Sequence, residues 1–278
     1  MSGYLDQQYR KTRRAADHLP NAPRLFNEMI GFPIHPMTNL PSPLLPYQLD
    51  ILEYKGKDLI IVKSNKIGIT ETILRDMAYR GVAGDCRGYM LMLGAQDERL
   101  AKENMRRLQN IFLGSRVLAP MIIGQPTTTR LELTNGTIYL VVPRSAAARR
   151  GWARMKYAFL DEAAHYGLLE DEEFLSATTS RLSNTDGYLR MASTPLGQRG
   201  FFHRMCLAGD GGGTPLKVIR LTYHVALGTL IGQDFIDKEK SRLGPLFGQE
   251  YECQFLSSQN AALEPELVDG AVGDYGID

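Results

Sequence analysis

At 278 residues with 44% apolar content, the chain is long enough to bury one large α/β core and to be an enzyme. A formal net charge of +1 excludes whole-molecule attraction as a source of nucleic-acid affinity, which must instead come from local basic patches. Cys86, Cys206 and Cys253 are odd in number and lack metal-ligand spacing, which argues against a disulfide framework or a zinc site and for a reducing compartment. No uncharged apolar run approaches a membrane span, so neither signal peptide nor anchor is expected.

Residues 1–45 open on Arg10-Lys11-Thr12-Arg13-Arg14 and carry Pro20, Pro23, Pro33, Pro36, Pro41 and Pro43, which predicts an extended, surface-hugging arm. The basic cluster reads first as a solvated face. Pro46-Tyr47-Gln48 then heads a short helix over 49–54. A glutamine amide both donates and accepts, so Gln48 can pair with two edge positions of adenine, although a surface glutamine after a turn proline has the same appearance. The apolar run at 59–62 predicts a buried strand, followed by the loop Lys63-Ser64-Asn65-Lys66-Ile67-Gly68-Ile69-Thr70 and a helix over 71–79. A second strand is predicted over 89–93 and a helix over 97–112. There Arg99, Lys102, Arg106 and Arg107 alternate with Asp97, Glu98 and Glu103, a salt-bridged exposed face rather than a DNA contact.

Runs at 131–133 and 137–142 flank Thr134-Asn135-Gly136, a hairpin signal. Arg144, Arg149, Arg150, Arg154 and Lys156 follow among small residues, a stretch that reads equally as a cation source for a phosphate and as plain surface. A buried strand over 157–160 delivers Asp161-Glu162-Ala163-Ala164-His165 at its end. Another, over 187–192, ends in Ser193-Thr194-Pro195; hydroxyls at a strand end, with proline stopping the strand, suit a sensor of bound phosphate. A helix over 200–208, a glycine-rich connector, a strand over 217–223, helices over 234–243 and 246–255 and a linker-like tail complete the chain.

A phosphate loop works because backbone N–H groups point at anionic oxygens, a lysine neutralises the β/γ-phosphates and a hydroxyl ligates Mg²⁺. Against G-x-x-x-x-G-K-[ST], the chain keeps Gly68 and Thr70 but has Lys63 for the first glycine and Ile69 for the lysine. The charge is displaced, not absent, since Lys63 heads the loop and Lys66 lies inside it. Taken alone, the loop reads as an ordinary strand-to-helix turn. The acidic pair shifts that balance: one carboxylate suits a Mg²⁺ shell, the other suits deprotonation of water, and two neighbouring buried carboxylates repel unless a cation lies beside them.

The ordered set Pro46-Tyr47-Gln48, Lys63 to Thr70, Arg149-Arg150-Gly151, Asp161-Glu162-Ala163-Ala164-His165, Ser193-Thr194-Pro195 and Gly248-Gln249-Glu250-Tyr251-Glu252-Cys253-Gln254-Phe255 resembles the ATPase half of the large terminase subunit of tailed viruses, over roughly residues 41–257. The resemblance implies an additional-strand P-loop fold, α/β with a mainly parallel sheet. It implies an arm over 1–45, an ATPase core over 46–223, a small helical lid over 224–258 and a linker over 259–278 into a nuclease domain. Gln48 would read adenine, and Ser64, Asn65, Ile67, Gly68, Ile69 and Thr70 would line the phosphates. Lys63, with Lys66 as second choice, would serve as the catalytic lysine. Thr70 and Asp161 would hold Mg²⁺, Glu162 would activate water, and Ser193 and Thr194 would couple hydrolysis to movement. Arg150 would reach a neighbouring subunit's ATP in a homo-oligomeric ring. The implied partners are double-stranded DNA, a portal protein and a small terminase subunit, and the implied location is the host cytoplasm, transiently on the procapsid. Asp278 would be the first metal ligand of a nuclease, so this chain by itself is not expected to cut DNA. The rivals are a superfamily 2 helicase fragment, close to the acidic box and Ser-Thr-Pro, and a non-catalytic scaffold with a decayed nucleotide site.

Overall fold

The computed structural model describes residues 19–35, 38–142, 154–166 and 171–257, apart from the side chain of Asp171. The basic cluster at 10–14, Arg150, the 259–278 linker and Asp278 lie outside the described residues. Four mostly apolar runs occupy the middle of the sheet, as expected of strands covered on both faces: β1 (Asp58–Lys63), β2 (Met90–Ala95), β5 (Met155–Asp161) and β6 (Tyr188–Ser193). With β3 (Arg130–Glu132), β4 (Ile138–Val141) and β7 (Lys217–Leu221) they form a seven-stranded sheet of order β3-β4-β2-β5-β6-β1-β7. Only the β3–β4 pairing is antiparallel. It is the hairpin read from Asn135-Gly136: Gly136 takes φ +84°, and the Asn135 side-chain oxygen accepts from the Thr137 N–H at 3.0 Å. β6 sits between β1 and β5, the inserted strand that defines the additional-strand plan.

Helices cover both faces: α1 (Pro23–Ile30), α2 (Pro46–Glu53), α3 (Ile69–Val82), α4 (Glu98–Leu113), α5 (Asp171–Ser183), α6 (Gly200–Asp210), α7 (Gln233–Leu243) and α8 (Phe247–Tyr251). Strand side chains alternate between the two layers. Leu59, Ile61, Leu91, Leu93, Tyr157 and Phe159 join the core formed with α1 to α4, α7 and α8, whereas Ile60, Val62, Met92, Ala158, Leu160 and Met191 meet α5 and α6. The segment expected as a lid gives Ala226, Ile231, Ile236, Phe247 and Tyr251 to the first of these cores.

Three elements differ from expectation. The proline-rich arm contains α1, because Pro23 occupies the first helical turn, where a missing N–H costs nothing. Phe26 is then fully buried and packs edge-on against Tyr79, a contribution of about 2–3 kcal/mol. Helix α5 arises where no element was expected; its Thr178 and Thr179 hydroxyls donate to the Phe174 and Leu175 carbonyls, while Phe174 and Leu182 supply the packing. The last helix ends at Tyr251 rather than 255, since Cys253 takes φ +60° and its thiol donates to the Val62 carbonyl at 3.4 Å.

Candidate active site

Parallel pairing sets the geometry of the site. Val62 pairs with Ser193 and Ala192 with Asp161, so the carboxyl ends of β1, β6 and β5 bring Lys63, Ser193 and Asp161 to one edge of the sheet, where such folds bind ligands. The Lys63 ammonium is buried and donates to Glu162 Oε1 at 2.7 Å. Ser193 donates to Glu162 Oε2 at 3.3 Å and accepts from the Ala164 N–H at 3.1 Å. Thr194 Oγ1 and His165 Nε2 share a hydrogen bond of 3.0 Å. Both hydroxyls of Ser193-Thr194 are therefore tied to the acidic segment. Glu162 itself is left-handed (φ 50°, ψ 47°), a conformation that costs a non-glycine residue on the order of 1 kcal/mol and persists where the surroundings over-determine it.

The loop between β1 and α3 ends in Gly68 at φ +76°. An added Cβ there would stand 2.8 Å from Gln48 Nε2, so any larger residue would displace the Gln48 amide. Tyr47 donates to the Ile67 carbonyl at 2.6 Å, and the side chains of Ile67 and Ile69 are buried anchors. Ser64 and Asn65 donate their N–H groups to the carbonyls of Leu221 and Glu250, tying the loop to β7 and α8. The backbone N–H groups at the start of α3, at Ile69, Thr70 and Glu71, are the ones helix geometry leaves without intrahelical partners, and so are able to bind an anion. Lys66 is exposed (φ 62°), with its Nζ 4.2 Å over the Phe235 ring of α7. Of the two lysines, Lys63 is the one beside the acidic pair.

Thr70 Oγ1 lies 3.3 Å from both carboxylate oxygens of Asp161, and Asn104 Nδ2 donates to Asp161 Oδ2 at 2.8 Å. Burial first, and the Glu162 charge second, push the Asp161 carboxyl up to about 6; Lys63, the Asn104 bond and Arg107 pull the other way. A buried carboxylate so disfavoured calls for a cation. Among the described residues no group of three His, Cys, Asp or Glu side chains could hold a metal ion. The donor set present, one carboxylate and one hydroxyl, fits Mg²⁺, which takes most of its ligands from phosphate and water.

Beside the loop opens a cleft of about 560 Å³, bounded by Gln48, Gly68, Lys66, Glu71, Arg75 and Arg107, the arm residues Phe32 to His35, and Leu230. Glu71 accepts from Arg75 Nε at 2.9 Å and from Arg107 at 3.4 Å, holding two guanidiniums at the cleft wall. Gln48 Oε1 accepts from the Leu45 N–H at 2.8 Å, which satisfies a donor at the start of α2 and leaves the amide nitrogen toward Gly68. Asn65 Nδ2 donates to Glu250 Oε2 at 2.6 Å, and Gly197 N donates to Gln249 Oε1 at 3.2 Å, so α8 touches both the loop and the segment after Ser193-Thr194-Pro195. The edge of the sheet thus offers a cationic cleft, helix-start donors, a metal-suited carboxylate and a second carboxylate able to take a proton.

Sequence reasoning gives no site role to Asn104, Arg107 and Glu71, and names Glu250 only within the Gly248 to Phe255 motif. Asn104 carried a signal, a buried amide breaking an apolar stripe; Arg107 had been assigned to an exposed helix face together with Arg106, which does pair outward with Glu103.

No protein-family model and no curated protein sequence matches the chain. Solved structures do. The Thermus phage P74-26 large terminase ATPase domain superposes with a TM-score of 0.62 at 18% identity, covering 75% of this chain and 92% of that one. The HK97 bacteriophage large terminase gives 0.68 at 17% identity over 84% of this chain and 54% of its own. The large terminase of the thermophilic bacteriophage D6E in complex with ATP-gamma-S gives 0.60 at 15% identity, over 77% and 53%. The chain therefore has the fold of large terminase ATPase domains and spans about half the length of the longer terminase structures.

Proposed function

We propose that this chain is the Mg²⁺-dependent ATPase motor domain of a viral large terminase, using hydrolysis to drive double-stranded DNA into a procapsid. The observation that carries the reading is the convergence of Lys63, Thr70, Asp161 and Glu162 at one sheet edge, beside a cleft large enough for a nucleoside. The likeness to a terminase solved with ATP-gamma-S supports it.

The base enters the cleft beside Gln48, and the phosphates lie over the start of α3. Lys63 neutralises the β/γ oxygens. Thr70 and Asp161 would hold Mg²⁺, which would offset the charge of the phosphate oxygens. Glu162 takes a proton from the attacking water, whose oxygen bonds to the γ-phosphorus as the bond to the β–γ bridging oxygen breaks, giving ADP and phosphate. Lys63 must leave Glu162 for the phosphates before that proton transfer, because the ammonium at 2.7 Å occupies the base. Ser193 and Thr194, hydrogen-bonded to Glu162 and His165, would relay the change. Contacts to DNA would be to phosphates, hence sequence-tolerant and weakened by salt. Arg150 acting on a neighbouring subunit in a ring, a portal protein and small terminase subunit as partners, work in the host cytoplasm on the procapsid, and a nuclease borne outside this chain complete the proposal.

The test is Mg²⁺-dependent ATP turnover. Glu162→Ala is expected to abolish it, by at least about a hundredfold, while ATP-gamma-S still binds; turnover at the wild-type rate would remove the mechanism. In the same assay Lys63→Ala should lose turnover and Lys66→Ala retain most of it, and the reverse would reassign the lysine.

A further inference from the structure

We propose that Asn104 is a positioning residue for the metal-bearing end of this site: its amide nitrogen holds Asp161, and its amide oxygen accepts a hydrogen bond from a water in the hydration shell of the divalent ion. The inference rests on the ATPase reading and deepens it.

Helix α4 presents an apolar stripe to the core, with Ala101, Met105, Leu108 and Phe112 buried at helical spacing. Asn104 stands within that stripe at 1% exposure, where a leucine would satisfy packing alone. Its Nδ2 is used, donating to Asp161 Oδ2 at 2.8 Å, whereas its Oδ1 is buried with no hydrogen-bond partner among the described residues. An unmet buried acceptor costs about as much as the bond to Asp161 contributes. Turning the amide over does not relieve this. The flip would aim the oxygen at a carboxylate oxygen, two acceptors face to face.

What the oxygen lacks is a donor. It shares a planar amide with the nitrogen bonded to Asp161, so it lies within a water's reach of the carboxylate suited to the ion. Magnesium held by few protein ligands keeps several waters, and the cation's charge makes their O–H groups strong donors. Asp161 is then steadied on two sides, by the Thr70 hydroxyl and by Asn104, and Asn104 also senses whether the hydrated ion is there.

The experiment is calorimetric binding of ATP-gamma-S, in EDTA and across a Mg²⁺ titration, for wild type, Asn104→Leu and Asn104→Asp. Asn104→Leu, which keeps the packing and removes both polar atoms, is expected to raise the Mg²⁺ midpoint about tenfold and to leave the affinity in EDTA unchanged. Asn104→Asp, which keeps an acceptor but loses the donor to Asp161, is expected to bring the midpoint below that of the leucine variant without reaching wild type. Should the leucine variant not fold, Asn104→Ala takes its place with the same expected shift. A leucine or alanine variant with the wild-type midpoint overturns this inference alone, and an aspartate variant as impaired as leucine overturns its water-accepting half. Wild-type protein that binds no nucleotide in a Mg²⁺-dependent way overturns the ATPase reading instead.

Discussion

Asp161 carries the electrostatic tension of the site. Burial and the Glu162 charge push its folded-state carboxyl up to about 6, whereas an unfolded aspartate keeps its ordinary value of about 4. The folded chain therefore binds this proton more tightly than the unfolded chain. That favours folding at low pH, and the contribution is lost as pH rises from about 4 through about 6, leaving a cost on the order of 3 kcal/mol at neutral pH. Asp161→Asn retains an oxygen to accept from Thr70 and Asn104 and cannot ionise. In nucleotide- and Mg²⁺-free buffer it should be more stable than wild type by that order at about pH 7.5, and the advantage should shrink toward about pH 5. Urea midpoints across this range check it; a variant less stable than wild type at neutral pH would mean that the ionised carboxylate is a net asset beside Lys63. The same substitution should abolish Mg²⁺-dependent nucleotide binding, so stability and function move in opposite directions at one position, as is common where a site stores unfavourable charge.

Among the elements, the loop and α3 show how a degraded motif retains its geometry. Gly68 is needed for its φ of +76° and because Gln48 Nε2 occupies the space of a Cβ. Gly68→Ala is expected to cost about 1–2 kcal/mol from the left-handed backbone alone and, by displacing the start of α3 or the Gln48 amide, to weaken ATP-gamma-S binding severalfold. Thermal melts and calorimetry would report the two effects, and wild-type affinity in a destabilised variant would show that the loop tolerates the shift. The strands, α3, α4 and the hairpin were legible in the sequence because periodicity and local turn chemistry determine them, and Lys63, Thr70, Asp161 and Glu162 because strand ends in a parallel sheet fall at one edge. Helix α1 was hidden by the expectation that proline breaks helices, and α5 by serines and threonines whose hydroxyls fold back onto carbonyls. The contacts of Asn104, Glu250 and Arg107 were hidden for another reason. Their partners lie 57, 185 and 36 residues away, so no local pattern announces them.

At the scale of the whole molecule, the two ends of the sheet do different work. The carboxyl edge holds the strained Glu162 and the buried Asp161, while under the opposite end lies a dense ionic cluster that touches none of them. Asp76 of α3 is fully buried and accepts from Arg80 Nε and the Tyr157 hydroxyl, each at 2.8 Å, with Arg190 Nε 3.7 Å away. Arg190 is itself wholly buried, near the rings of Tyr54, Tyr157 and Tyr188, and donates to the carbonyls of Lys57 and Gly56. The cluster fastens α3 to the beginnings of β5 and β6, the helix and strands whose other ends carry Thr70, Asp161 and Ser193. Removing one member of such a set leaves buried charge uncompensated, which costs about 3–5 kcal/mol, a large share of the 5–15 kcal/mol that usually holds a domain together. Asp76→Ala is therefore expected to lower the urea midpoint sharply. Thr70 lies about 9 Å along the helix axis from Asp76, so the protein that remains folded should keep its Mg²⁺-dependent affinity for ATP-gamma-S. A wild-type midpoint would show that the cluster holds nothing together, while preserved stability with lost affinity would mean that α3 transmits strain along its length, making the two ends of the sheet one device rather than a foundation and a working edge.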